Sequence, residues 1–138
     1  MPDVDVWIAL ASSKHEHHLV ARQWFDSVTD DICFCRVTQM ALLRLITNVR
    51  VMEEDVLSPK GALMVYRELI CDSRVRLREE PVGVEERWWK LMSNPKVGGS
   101  SWTDAYLAAF AMEAGFRLVT FDAGMRKWGG AGLEVLRG

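Results

Sequence analysis

Along the whole chain, short strand-like runs alternate with longer segments that carry a helical apolar stripe, and this alternation limits the fold more than any other feature. The strand-like runs are residues 4–10, DICFC, VRLR, FRLVTF and GLEVL. Between them, EHHLVARQWFDSV places Val20, Trp24 and Val28 at helical spacing, with Ala21 and Phe25 beside them. TQMALLRLITN carries Leu42, Leu45 and Ile46 on one face, with Thr38 as the expected N-cap. Ser58-Pro59 opens a helix with a capping serine and a first-turn proline, and Ala62, Val65, Tyr66 and Leu69 form its stripe. GVEERWWKLMS repeats the pattern through Val84, Trp88, Leu91 and Met92, and NPKVGGSS reads as a loop. A helix over residues 103–114 ends at Gly115, where a left-handed residue is expected. Strands separated by helices of this length pair in parallel through crossovers. The expected architecture is therefore α/β, with helices on both faces of a central, mostly parallel sheet.

With 138 residues, 49% of them hydrophobic, the chain has enough material for one domain with a real core, so residues 1–138 are expected to form a single unit. No apolar run is long enough to span a membrane, and MPDVDVW places acids where a secretory leader would be basic, so a cytoplasmic location is expected. The three cysteines are odd in number and not arranged as CxxC. Cys33 and Cys35 alternate along ICFC and are assigned to packing. A net charge of −2 does not draw the protein onto nucleic acid as a whole, so a nucleic-acid site has to be local, as in the cluster RVRLR.

The acids are placed more tellingly. Ligands of open parallel sheets bind beyond the carboxyl ends of the strands. Asp122 follows FRLVTF at such an end, Asp104 opens the helix after the NPKVGGSS loop, and Asp3 and Asp5 flank the start of the run expected to be the first strand. These acids can converge at one sheet edge. Two carboxylates ~4 Å apart repel by about 4 kcal/mol at an effective dielectric near 20, so a cluster of three calls for a cation or for shifted pKa values. Oxygen-only ligands suit Mg²⁺ or Mn²⁺, and a metal that keeps several waters can activate one of them against a phosphodiester.

Asp3 in PDVDVWIALA, Asp104 in WTDAYLAAFA and Asp122 in LVTFDAG, in that order within an α/β alternation, resemble the acidic residues of PIN-domain nucleases. The resemblance covers almost the whole chain and is strongest to the VapC toxins of bacterial toxin–antitoxin pairs, whose segments VTQMALLRLITN, WTDAYLAAFA and RLVTFDAG resemble. It implies a PIN-like ribonuclease domain over residues 1–138, an Mg²⁺- or Mn²⁺-dependent endoribonuclease. It further implies a cognate VapB-like antitoxin that holds the toxin inactive, an RNA substrate and a homodimer. Asp3, Asp104 and Asp122 would then be catalytic metal ligands, with Asp5 as a further ligand or a hydrogen-bond partner of one. Gln39, Arg44 and Thr103 are the candidates for substrate contact.

Two positions depart from the family pattern. The glutamate expected early in the helix after the second strand is replaced by Ala41, with Gln39 the nearest polar side chain. Only Met1 and Pro2 precede Asp3, so the first strand is expected to be short or the natural start to lie upstream. Plainer readings exist residue by residue. Asp104 is also a favourable first-turn acid, Asp122 an ordinary turn residue before Gly124, and Asp3 a terminal acid. Thr103 could cap its helix or hold a metal-bound water, and Arg44 could touch a phosphate or form a surface ion pair. His15, His17 and His18 read as solvated helix-start residues rather than as a zinc site. The six tryptophans are assigned mainly to the core; Trp102, directly before Thr103, is the one also placed to stack a base. The alternative function is a degenerate PIN-like module that binds RNA or protein without cutting. A haloacid-dehalogenase-type phosphatase, suggested by DVDVW, lacks the long preceding strand and the later lysine. A flap-type DNA nuclease needs more chain.

Overall fold

The computed structural model describes residues 1–129 and 132–138. They divide into two compact units: Pro2–Arg78 with Gly138, and Met1 with Glu79–Arg137.

The first unit opens with α1 (Val4–Ala11), a helix in the place where a strand was expected. Val4, Val6 and Ile8 are β-branched and alternate, which favours a strand. The Asp3 side chain nevertheless caps the segment, its Oδ1 accepting from the Val6 amide at 3.1 Å. Val6, Trp7, Ile8 and Ala9 are all buried. A helix buried on consecutive residues has no polar face, so periodicity cannot distinguish it from a buried strand. Helix α2 (His18–Ser27) buries Ala21 and Phe25, and strand β1 (Ile32–Phe34) is buried throughout.

Helix α3 (Arg36–Ile46) starts three residues earlier than the expected Thr38 N-cap implies. Cys35 holds the N-cap position, and Thr38 is the N3 residue of a capping box, its Oγ1 accepting from the Cys35 amide at 3.1 Å. Leu42 and Ile46 are buried, and Leu45 packs partly buried against the same core. A short α4 (Val49–Met52), capped by Asn48, and a 3-10 turn at Glu53–Asp55 lead to α5 (Pro59–Cys71). There Ser58 Oγ accepts from Gly61 at 3.1 Å. Strand β2 (Val75–Leu77) then pairs in parallel with β1, Ile32 opposite Val75 and Phe34 opposite Leu77. The core centres on Trp7 stacked on Phe34, with ring centroids 3.6 Å apart and planes 10° from parallel, and Tyr66 edge-on to Phe34. Cys33 and Cys35 are buried, unbridged and part of the packing, and burial pushes the Cys33 thiol pKa up, which keeps it protonated and inert.

In the second unit α6 (Val84–Met92) packs against α7 (Trp102–Ala114). Arg87 bridges them to Glu113 at 2.8 Å. Helix α7 buries Ala105 and the continuous run Leu107–Ala111, and ends at Gly115 with φ +71°, the left-handed C-terminus expected from the sequence. Strand β3 (Leu118–Thr120) pairs in parallel with β4 (Leu133–Val135), and a 3-10 segment, Ala123–Trp128, lies between them in the chain. Met1 lies along β3, its amine donating to the Arg117 carbonyl at 2.6 Å and its carbonyl accepting from the Val119 amide at 3.0 Å. Among the described residues the four strands are each three residues long and both ladders are parallel, in keeping with the α/β class.

Candidate active site

In the second unit the residue carrying Asp104 is set by the start of α7. Ser101 is the N-cap, so Trp102, Thr103 and Asp104 occupy the first three helical positions. Thr103 is exposed and does not cap the helix, which removes one of the two roles expected for it. Ser101 makes no side-chain cap either; its hydroxyl accepts instead from Lys127 Nζ at 3.2 Å. That contact ties the 3-10 segment Ala123–Trp128 to the beginning of α7, so the elements bearing Asp104 and Asp122 are neighbours. Nothing in the string GMRKW marks Lys127 out; only the folded contact does.

Asp122 lies two residues past β3. Its amide donates to Thr120 Oγ1 at 2.9 Å, and its Oδ1 accepts from the Gly124 amide at 2.7 Å. A side chain at position 124 would bring a Cβ to 2.9 Å from that oxygen, so any residue but glycine would push the carboxylate out of this position. One carboxylate oxygen is thus held by backbone, and the other has no hydrogen bond among the described residues.

Asp3, Asp5, Gln39, Ala41 and Arg44 belong to the first unit. Asp3 is 8% exposed and caps α1, so it terminates the extended Met1–Pro2 stretch rather than flanking a strand that begins at residue 4. Asp5 is exposed in the first turn of the same helix. On α3, Gln39 accepts from Arg36 Nη1 at 2.5 Å, Ala41 is half-buried and Arg44 is exposed in the last turn. Among the described residues no group of three or more His, Cys, Asp or Glu side chains forms a ready metal site. The acids suit a hard divalent cation by donor chemistry, being all oxygen, with Asp122 offering one oxygen already oriented.

Other sequence candidates are occupied elsewhere. His15 Nδ1 accepts from the His17 amide at 3.1 Å, His18 Nδ1 lies 2.7 Å from the Ala9 carbonyl oxygen, and burial lowers the His15 pKa, all in keeping with a helix start. Of the arginines in RVRLR, Arg74 is bound to Asp72 and to the Phe25 and Val28 carbonyls, and Arg76 pairs with Asp31 at 3.3 Å. Arg74 thus has a structural role, while Arg76 stays largely exposed in its surface pair.

The family model described as the PIN domain matches residues 1–130. The chain belongs to the PIN-domain family. Within it the chain sits among VapC proteins. It is 39% identical over 140 residues to the protein named Ribonuclease VapC41 of Mycobacterium tuberculosis (strain ATCC 25618 / H37Rv), covering 97% of this chain and 96% of that one. It is 32% identical over 127 residues to Ribonuclease VapC38 of the same strain, covering 89% and 84%. The crystal structure of M. tuberculosis VapC20, described as a sarcin-ricin loop cleaving toxin, superposes with a TM-score of 0.69. It spans 93% of each chain at 17% identity, a match that establishes the PIN fold for this VapC-type protein.

Proposed function

We propose that this PIN-domain protein is a divalent-metal-dependent endoribonuclease, the toxin of a toxin–antitoxin pair, with residues 1–138 working as one ribonuclease domain. The observation that carries the reading is 39% identity to a named VapC ribonuclease across 97% of the chain. Asp3, Asp104 and Asp122 would hold Mg²⁺ or Mn²⁺, with Asp5 as the further ligand, and the ion would supply an activated water for phosphodiester hydrolysis. The chain's own contribution is orientation. Gly124 fixes one oxygen of Asp122, Asp3 is anchored by the Val6 amide, and Arg44, Gln39 and Thr103 are the groups assigned to the RNA.

The partners proposed are the RNA, a second copy of the chain and a VapB-like antitoxin that neutralises the acids with a basic side chain. Exposed apolar side chains on α3, α4 and α5 (Met40, Val49, Val51, Leu63 and Met64) support a protein partner on the first unit. Among the described residues no helix is long and apolar enough to cross a membrane, in keeping with the proposed cytoplasmic setting. Ala41 favours a second reading, a PIN-like module that binds without cutting, because it removes one carboxylate from the family's set.

Purified protein incubated with total RNA separates the two. Cleavage that needs Mg²⁺ or Mn²⁺, stops in excess EDTA and is lost in Asp104→Asn and Asp122→Asn supports the nuclease. Undiminished cleavage in EDTA would refute the metal chemistry, and RNA binding with no cleavage at any metal concentration selects the binding module.

A further inference from the structure

Four aromatic side chains of α6 and α7 meet in the second unit. Trp88 stacks on Trp89 with centroids 4.7 Å apart and planes 20° from parallel, and Trp102 stands edge-on to both, at 5.8 Å and 89° and at 6.1 Å and 85°. Trp88 is anchored through its indole N–H, which donates to the Trp102 carbonyl at 2.9 Å, and Tyr106 is anchored on Glu80 at 2.5 Å. Trp89 and Trp102 are different: they are 46% and 47% exposed. Packing therefore leaves two indoles at right angles, each nearly half in water, against the anchored Trp88.

Charge and position indicate what fits this corner. Lys127 Nζ donates to Ser101 Oγ, on the residue before Trp102, and lies 5.0 Å over the Trp128 ring, with no carboxylate partner among the described residues. An unneutralised ammonium and an open aromatic surface thus adjoin one two-residue segment, Ser101–Trp102. An apolar protein partner would use the indoles but not the cation. A nucleotide uses both, since unpaired bases stack on aromatic rings and phosphates take cations. Trp102 is also two residues from Asp104 on the same helical turn.

The geometry points to Trp102, Trp89 and Lys127 as a nucleotide-recognition corner: Lys127 holds a phosphate of single-stranded RNA, and an unpaired base beside the cleaved bond stacks on the two indoles. The assignment rests on the ribonuclease reading above and adds to it the element that selects unpaired RNA.

The test uses the full chain and an unstructured, fluorescently labelled oligoribonucleotide that the parent protein cuts, alongside a copy abasic at the nucleotide next to the cut. Binding is read by anisotropy in EDTA, and kcat and KM are read in Mn²⁺. Alanine replacement of a stacking side chain should weaken binding about five- to hundredfold. Trp102→Ala should therefore raise Kd and KM by that factor with little change in kcat, and Trp102→Phe should recover most of the loss. On abasic RNA the parent and Trp102→Ala should bind alike. Lys127→Ala should lower the slope of log affinity against log salt by about 0.7, the value for one single-strand phosphate contact, with Lys127→Arg restoring it. Melting temperatures of the variants report folding. Unchanged affinities, an equal Trp102→Ala loss on intact and abasic RNA, or a loss of dimer without a loss of RNA binding would overturn the corner, the last assigning it to a protein interface. Failure of the parent itself to cut or bind RNA would instead bring down the ribonuclease reading, and the corner with it.

Discussion

Arg74 is the basic residue whose role can be worked out in most detail. Its guanidinium grips Asp72 with Nε–Oδ1 at 3.0 Å and Nη2–Oδ2 at 2.8 Å. Nη1 donates to the carbonyls of Phe25 at 2.8 Å and Val28 at 2.5 Å, and the group lies 4.5 Å over the Phe25 ring. It thereby fastens the start of β2 to the end of α2. Hydrogen bonds from Arg74 hold the Asp72 pKa down to about 2, from an ordinary 3.8. A depression of that size corresponds to about 2 kcal/mol, reduced to about 1 by solvent screening of a pair that is about a quarter exposed. The two charged hydrogen bonds to carbonyls add about 2 kcal/mol together at this partial burial. Arg74→Met keeps the aliphatic stem and the backbone amide's hydrogen bond to Asp72 Oδ1 and removes the guanidinium contacts, so it should cost about 2–3 kcal/mol at pH 7, read from urea denaturation followed by circular dichroism. The pH dependence has a definite sign. A carboxyl with a depressed folded pKa stabilises above its unfolded pKa, and that contribution disappears as pH falls through the folded value. The gap between parent and variant should hence narrow by about 1 kcal/mol between pH 5 and pH 2. RNA affinity of the folded variant should stay at the parent level. A cost below about 1 kcal/mol, a gap indifferent to pH, or a selective loss of RNA binding would refute the structural role.

The remaining predictions are shorter. Phe34→Ala removes the fully buried partner of Trp7 and should destabilise the protein by about 3–5 kcal/mol; a change under 1 kcal/mol in the same denaturation assay would mean the stack is not part of the core. Ala41→Glu should tighten Mn²⁺ dependence of cleavage if position 41 faces the metal, as read from the Mn²⁺ titration of rate; a parent that is inactive until Ala41→Glu is introduced identifies a lapsed nuclease. Added Mn²⁺ should raise the melting temperature of the parent by ligand linkage and leave Asp122→Asn nearly unmoved; equal shifts in both proteins would count against Asp122 as a ligand.

The fold was legible wherever a local signal and the tertiary demand agreed. Ser58-Pro59 announces α5 and Gly115 closes α7 because a cap hydrogen bond and a left-handed φ depend on the residue itself. VRLR and DICFC became paired strands because short β-branched runs bounded by turns have few other uses. The signal failed at α1, where burial erased the polar face that distinguishes a helix from a strand. It failed again at Thr38, which has the chemistry of an N-cap but serves as the far member of a box opened by a cysteine. The 3-10 segment Ala123–Trp128 was not foreseen because GMRKW has neither helical nor strand periodicity; its course is set by Asp122 and by the Lys127–Ser101 contact.

The same division runs through the candidate site. The positions of Asp104 and Asp122 in the fold were legible because first-turn acids and acids past a strand end occupy places defined by one-dimensional order, and the folded chain puts them on adjoining elements. The structural part of Arg74 was not legible, since a guanidinium's partners come from distant parts of the chain: Arg74 reaches Phe25 and Val28 across more than 45 residues. Exposure was equally hidden. Trp7 and Trp102 are both tryptophans in the first four residues of a helix, yet one is fully buried and the other is 47% exposed. The difference arises because Trp7 faces Phe34 and the core around β1, while Trp88 has already filled the inner side of the α6–α7 contact and leaves Trp102 on its rim. A tryptophan held at a rim beside the ammonium that Ser101 accepts from is a property of the folded surface alone, which is why the proposed nucleotide corner shows in side-chain geometry and not in residue order.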